Sequence, residues 1–307
     1  MKSGFVSIIG RPNVGKSTLL NNLLNKKVSI VSSKPATTRL KILGILTEER
    51  GQIIFVDTPG FEKPKNELGK FMLKTIFSSI DETDLILFLI EAKGWQEEDE
   101  EILNTLKKYN KKTILIINKV DLISEKTLLL PLIDESQKKF SFLEIIPVSA
   151  LKDKNFTNLI DAIFSYLPDN LNYNNKSFNE AELFFPKEAS TNLSQEYIFA
   201  EIIREKVLQK TYDEIPHTVA VEVEEIKPGG KNKEMVVIKA NIILERENIK
   251  SILIGKDGNK IKEIGKEARQ EIEILVGRKV YLDLWVKVIE DWRNRPDIFR
   301  KFGYGNI

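Results

Sequence analysis

Short apolar runs alternate with longer amphipathic stretches along the first half of the chain. "FVSII", "QIIFVD", "DLILFLI", "TILIIN" and "EIIPVS" are nearly continuous in aliphatic residues, as strands buried on both faces are. Between them, Glu97–Tyr109, Glu125–Phe140 and Asn155–Leu167 repeat apolar residues at helical spacing. This rhythm predicts an α/β fold with a mostly parallel sheet, in which ligands bind at the carboxyl ends of the strands. The rhythm ends near Pro168. Residues 169–194 are rich in Asn and lack a period, which predicts a linker that wraps or tethers, with Phe184, Phe185 and Pro186 docking on a neighbouring domain.

From Gln195 the period changes. A helix-like stretch, "EYIFAEIIREKVLQK", precedes the alternating runs "TVAVEVEEI" and "MVVIKANIIL", with a turn expected at Pro228-Gly229-Gly230. Two helix-like stretches around a glycine turn follow, then a last alternating strand, "VYLDLWVKV". Alternation at period 2 predicts a half-buried sheet covered by helices on one face, an α+β domain in the order αββααβ. Two domains are expected, at residues 1–168 and 195–307.

Composition narrows the chemistry. The chain has 307 residues, 42% hydrophobic and 30% charged, which suits two ordinary globular domains. It has no cysteine, which excludes disulfides, thiolate metal sites and cysteine nucleophiles. The single histidine, His217, excludes a His-rich metal site and reads as structural. A net charge of +2 decides nothing about nucleic acid, because local patches matter more than the sum. The longest apolar stretch, "LILFLI", is far short of the ~20 residues that span a bilayer, so a cytoplasmic protein is expected.

The chemistry-bearing residues follow the strands. After "FVSII" comes "GRPNVGKST", with Gly10, Asn13, Val14, Gly15, Lys16, Ser17 and Thr18 as phosphate-binding candidates. Gly10 and Gly15 permit a tight loop of inward N–H groups, Lys16 reaches the β- and γ-phosphates, and Ser17 ligates Mg²⁺. A helix starting there adds its positive end. After "QIIFVD" comes Asp57-Thr58-Pro59-Gly60, where the carboxylate would face Mg²⁺ and the Gly60 N–H the γ-phosphate. After "TILII" come Asn118, Lys119 and Asp121. One carboxylate accepts both N1–H and the exocyclic amine of guanine, a donor pair that adenine lacks, so Asp121 selects GTP. Asn118 would tie this loop to the phosphate loop or the base, and the Lys119 stem would pack over the ring. Ser149, Ala150 and Leu151 offer a backbone N–H to guanine O6.

Between the first helix and Asp57 lies "KPATTRLKILG", a loop expected to close on Mg²⁺ and γ-phosphate when GTP is bound. Thr37 and Thr38 are both candidates, with Thr38 favoured because it precedes Arg39, as in related GTPases. The second switch would run from Phe61 to Lys65. Phe61 stands where Ras-like enzymes carry the glutamine that orients water, which predicts slow intrinsic hydrolysis.

In the second half, Ile254-Gly255-Lys256-Asp257-Gly258 is a GXXG turn between helices, suited to clamp about four nucleotides of single-stranded nucleic acid. Lys256, Lys260, Lys262 and Lys266 would supply charge, and Ile254 and Ile261 an apolar floor. The order αββααβ with this turn matches a type II KH domain. In the competing account these lysines only balance Asp257, Glu263 and Glu267. In the last 18 residues, "EDWRNRPDIFRKFGYGNI", the aromatic and basic side chains suit either stacking on bases or packing on their own domain.

Taken in order, "GRPNVGKST", "PATTR", "DTPG", "NKVD", "SAL", "AEIIREK", "LIGKDG" and "WVKV…DWR" resemble the Era family of bacterial GTPases over almost the whole length. That resemblance implies Mg²⁺ and GTP or GDP as ligands, and a role in small ribosomal subunit assembly. It implies RNA binding near the 3′ end of 16S ribosomal RNA, and no DNA partner. It also implies that the Asn13 side chain holds a K⁺ ion. The alternative is a regulatory GTPase whose second domain binds a protein or a membrane surface, which would put part of the protein at the inner face of the cell membrane.

Overall fold

The computed structural model describes residues 1–34, 36–169, 183–212, 215–230 and 234–304. Residues 170–182 of the expected linker lie outside the described residues. By internal packing the chain divides into two compact units. One comprises Met1–Ser29, Thr38–Lys63 and Met72–Asn192, and the other Ile30–Thr37, Pro64–Phe71 and Leu193–Ile307.

The first unit runs β1 (Lys2–Ile9), α1 (Lys16–Leu24), β2 (Ile42–Glu48) and β3 (Gly51–Asp57), then α2 (Glu67–Glu82), whose first residues, Glu67–Phe71, pack with the second unit. It continues through β4 (Leu85–Glu91), α3 (Glu97–Leu106), β5 (Thr113–Asn118), α4 (Leu129–Lys139), β6 (Ile145–Pro147) and α5 (Phe156–Tyr166). The six strands lie in the order β2-β3-β1-β4-β5-β6, all parallel except β2, which pairs antiparallel with β3. Val6, Ile8, Leu87 and Ile116 face α1 and α5, whereas Ile86, Phe88, Ile90 and Ile117 face α2, α3 and α4. Both faces are therefore dry, each buried aliphatic side chain contributing about 1.5–3 kcal/mol. The chain leaves β1 for neighbours on both sides, β3 and β4, so a crevice opens at the carboxyl end of β1.

The expected α/β class holds, with two differences. β2 occupies part of the stretch read as switch loop. Its Gly44 looked like a loop residue, but a Cβ there would lie 2.6 Å from Leu20 and 2.7 Å from Leu24, so the glycine lets α1 press against the sheet. The described end of the linker then covers the β2 edge. Ile45 N–H donates to Ser190 O at 3.0 Å, Leu43 N–H to the Asn192 side chain, and Phe184 meets Phe5 ring to ring at 5.3 Å. Covering an edge strand removes a template for unwanted pairing.

The second unit runs α6 (Gln195–Lys210), α7 (Ile215–Thr218), β7 (Ala220–Gly229), β8 (Met235–Leu244), α8 (Glu247–Ile254), α9 (Asn259–Val276), β9 (Lys279–Val288) and α10 (Pro296–Lys301). Its sheet has the order β7-β8-β9, β7 antiparallel and β9 parallel to β8. Residues 228 and 229, expected in a turn, complete β7 instead. One face of the sheet packs Val221, Ile238, Ala240 and Ile242 against Ile203 and Val207 of α6 and Ile264, Ala268 and Ile272 of α9. His217 is exposed on the short α7. The C-terminal aromatics resolve as packing: Trp292, Phe299, Phe302 and Tyr304 are buried, and Trp292 Nε1 donates to Thr218 O at 2.8 Å.

Within this unit the segment Ile30–Thr37 is held by α6. Ile30 joins the core, Val31 N–H donates to Glu205 Oε1 at 2.9 Å, and the Thr37 carbonyl accepts from the fully buried Arg204. Arg204 also pairs with Glu201, one turn earlier on α6.

Candidate functional site

β1 ends at Ile9 and α1 begins at Lys16, so residues 10–15 form the loop at the crevice. Gly15 adopts φ 101°, and a Cβ on it would sit 2.3 Å from the Asn118 amide nitrogen. Glycine is needed here for backbone conformation and for space alike. Asn13 is also left-handed, at φ 63°. Val14 is buried in the core cluster, and α1 starts two residues later, at Lys16. Thr18 lies in the first turn of that helix.

Lys16 is buried and its Nζ donates to Gly10 O and Arg11 O, both at 2.9 Å. Burial pulls its pKa down to about 8, against the opposing attraction of Asp57. Asp57 closes β3 with no exposure. Its Oδ2 accepts from Ser17 at 2.8 Å, Ser29 at 2.9 Å and Thr38 at 3.4 Å, while its buried Oδ1 has no hydrogen-bond partner. Burial raises the Asp57 pKa; Lys16 and the three hydroxyls counteract this in part. Ser17 Oγ and Thr38 Oγ1 are 2.9 Å apart, so three hard oxygen groups converge. The Thr37 hydroxyl instead donates to Lys34 O at 2.6 Å. Among the described residues no group of three or more His, Cys, Asp or Glu could hold a metal, so a cation here would be completed by hydroxyl and phosphate oxygens.

Thr58 donates to Ile8 O at 2.9 Å and, with Pro59, is buried. A Cβ on Gly60 would meet Pro12 at 2.9 Å, so the glycine lets this loop lie against the phosphate loop. Phe61 turns towards the core, its ring 6.3 Å from Phe77. Arg39, next to Thr38, is buried.

The base loop is pinned from three sides. Asn118 Nδ2 donates to Val14 O at 2.7 Å, and its Oδ1 accepts from Ala150 N–H at 2.9 Å. A single side chain thus ties together the phosphate, base and Ser149–Leu151 loops. Asn22 of α1 adds a 2.6 Å bond to Ala150 O. Ser149 Oγ donates to Asp121 Oδ1 at 2.5 Å, which lowers the Asp121 pKa and keeps it an acceptor. Leu151 is 70% exposed. Of the residues expected from sequence, hydrogen bonds bring together Ser17, Thr38 and Asp57, then Val14, Asn118 and Ala150, and also Asp121 and Ser149. Thr37, by contrast, belongs to the second unit. Ser29, the third hydroxyl on Asp57, was not among the expected residues, because a lone serine in a loop carries no spacing signal.

The glycine turn of the second unit is different. Gly255, Asp257 and Gly258 all have positive φ, at 74°, 55° and 73°, and α9 starts immediately after with its N–H groups at the turn. Lys256, Asp257, Lys262 and Lys266 are exposed, and Ile254, Lys260 and Ile261 half-buried. Glu263 and Glu267 do not neutralise these lysines, since both pair at 2.7 Å with Lys210 of α6. Lys256, Lys260 and Lys266 make no ion pair among the described residues, and Lys262 reaches only Asp257 O at 3.3 Å.

The family model described as "50S ribosome-binding GTPase" matches residues 5–119, and the KH domain model matches residues 214–293. The chain is 50% identical to GTPase Era of Aquifex aeolicus, covering 99% of both chains. It is 45% identical to GTPase Era of Clostridioides difficile, again over 99% of both. Among solved structures, a variant of Aquifex aeolicus Era bound to GDP and aluminium fluoride superposes with a TM-score of 0.93 at 49% identity over 99% of each chain. The same score, identity and coverage hold for Era in complex with MgGDPNP and nucleotides 1506–1542 of 16S ribosomal RNA. No helix among the described residues is long and apolar enough to cross a membrane. With a phosphate loop, a guanine-type base loop and a KH turn in one chain, and relatives matching end to end, this protein belongs to the Era family of GTPases.

Proposed function

We propose that this GTPase is a cytoplasmic RNA-binding switch that engages the single-stranded 3′ region of 16S ribosomal RNA during small-subunit assembly. In this reading residues 1–168 carry the nucleotide, residues 195–307 carry the RNA, and 169–194 link them. The observation that carries the RNA half is the open Gly255–Gly258 turn, whose Lys256, Lys260 and Lys266 form no ion pair among the described residues, while Glu263 and Glu267 pair with Lys210. A relative solved with 16S ribosomal RNA supports the same choice of ligand.

For the nucleotide, we assign the phosphates to the residue 10–18 loop with Gly60, Lys16 bridging β and γ. Ser17, Thr38 and Asp57 fit Mg²⁺, the unpartnered Oδ1 of Asp57 being the oxygen left for the ion or its water. When bound, Mg²⁺ offsets charge on the β- and γ-phosphate oxygens. Asp121 reads guanine, Lys119 covers its face, and the Ser149–Leu151 backbone meets O6. Phe61 is packed on Phe77 and positions no water, so intrinsic turnover is slow. Asn13 holds K⁺ near the phosphates and so supplies charge that an arginine finger supplies elsewhere.

The test is equilibrium binding of a labelled 16S 3′-end RNA and its complement, with a GTP analogue or GDP. The reading requires tight, salt-sensitive binding of the 3′ end, strengthened by the analogue. Equal binding of both RNAs refutes the choice of the 3′ end, and binding of neither refutes RNA as the ligand and leaves a protein or membrane surface as the partner.

A further inference from the structure

Glu91 ends β4 opposite Asn118 of β5, between the phosphate and base loops. Its Oε1 lies 2.5 Å from Lys119 Nζ and its Oε2 3.7 Å from Arg11 Nη2, and the side chain is only 13% exposed. Arg11 belongs to the phosphate loop, and its Nε continues to Asp99 Oδ2 at 3.2 Å. Asp99 is wholly buried and also accepts Gln96 N–H at 3.1 Å, at the start of α3. An ion-pair chain therefore runs from the base loop, through Glu91, to the phosphate loop and into the rim of α3.

The backbone does not need Glu91 for this register. Ala92 N–H already donates to Asn118 O at 2.8 Å, and Asn118 itself ties the loops by neutral hydrogen bonds. The carboxylate has no attraction for a phosphate. What it does is hold the end of the Lys119 side chain, whose backbone is already left-handed at φ 64°. A lysine stem can pack on a ring with its ammonium in water. The free side chain carries rotamer entropy, however, and an anchor for the ammonium reduces what is lost when the stem settles on the ring.

We propose that Glu91 is a positioning residue for guanine: it anchors the Lys119 ammonium so that the stem lies over the base, and through Arg11 it joins base binding to phosphate binding. This rests on the assignment of Lys119 to the guanine face.

The test is a double-mutant cycle on fluorescent GDP affinity and release, using Glu91→Gln, Lys119→Met and both together. If Glu91 acts through Lys119, Glu91→Gln weakens GDP and speeds its release about five- to tenfold in the native background, and has less than a twofold further effect beside Lys119→Met. Equal effects in both backgrounds, or none in the native one, overturn the proposal. Glu91→Ala, which also removes the anchor, must show the same dependence on Lys119, so a poorly folding Gln variant does not end the test. Asp121→Asn run in parallel reports on the guanine assignment separately: if it leaves GDP preference over xanthosine diphosphate intact, the reading of the base loop itself has failed.

Discussion

In the nucleotide cleft nearly every functional side chain is held by another before any ligand arrives, whereas at the Gly255–Gly258 turn the cationic side chains are held by almost nothing. Asp57 accepts three hydroxyls, Asn118 bridges three loops, and Lys16 fills its place with two carbonyls. Lys256, Lys260 and Lys266 have no ion partner among the described residues. The ligands proposed for the two sites account for the contrast. A nucleotide is small and its reaction tolerates little misplacement, so its site is preorganised and partly desolvated. An RNA backbone is long, flexible and uniformly charged, so free lysines around a tight backbone turn suffice, and exposure costs little.

Glycine substitutions separate the two most sharply. Gly15→Ala drives a Cβ to 2.3 Å from Asn118 at φ 101° and should weaken GTP about 100-fold or more, measured by equilibrium binding. Gly258→Ala also has positive φ, but its Cβ would meet only Lys262 Cε at 3.8 Å. It should cost the turn about 1–2 kcal/mol, reduce RNA affinity by no more than about tenfold, and leave GTP affinity unchanged. Equal losses of function would mean that the two turns are not built as described.

Asp121→Asn comes next. Losing two charge-assisted hydrogen bonds should weaken GTP about 100-fold and shift preference to xanthosine triphosphate, because the amide donates to the extra carbonyl of xanthine. Competition binding checks this, and retained preference for GTP contradicts the role of the carboxylate. Replacing Na⁺ by K⁺ at equal ionic strength should raise GTP turnover about tenfold in the native protein and not in Asn13→Ala, well below the ~10³–10⁵ that an arginine supplies. A response of equal size in both proteins removes Asn13 as the ligand.

The effect of pH is graded. Lys16 has a pKa of about 8 without nucleotide, and phosphate beside it must raise that value in the complex. Below pH 8 the lysine is charged in both states and affinity is flat. Above pH 8 binding takes up a proton, so GTP affinity should fall by up to about tenfold per unit until the higher pKa is reached. A flat profile from pH 7 to 9.5 would show that Lys16 is not desolvated in the free protein. RNA affinity is not expected to bend at pH 8.

Both the sheet and most of the cleft could be read from the chain because they are written in adjacent residues: a buried strand, then the group at its carboxyl end. What could not be read depends on partners distant in sequence. Gly44 looked like a loop residue until Leu20 and Leu24 were seen against it. Ser29, 28 residues from Asp57, has no period or spacing to mark it. Glu263 and Glu267 sit beside the turn's lysines in sequence, yet Lys210 of another helix takes both, which changes the electrostatics of the turn. Trp292 and Phe302 could have faced RNA or the core, and only tertiary packing puts them inside. The linker aromatics were expected on a neighbouring domain, and Phe184 does meet Phe5 of residues 1–168, but nothing in the sequence said which neighbour it would be.

The most direct measurement is parallel binding of a GTP analogue and the 16S 3′-end RNA by the native protein and by a variant combining Lys256→Asp and Lys260→Asp. The native protein should bind both. The variant, folded by circular dichroism, should bind the analogue as well as the native protein does. It should lose about tenfold or more in RNA affinity at low salt, with a shallower salt dependence, about 0.7 less per lost phosphate contact on single strands. Unchanged RNA affinity and salt dependence in the folded variant would contradict the assignment of RNA to this turn.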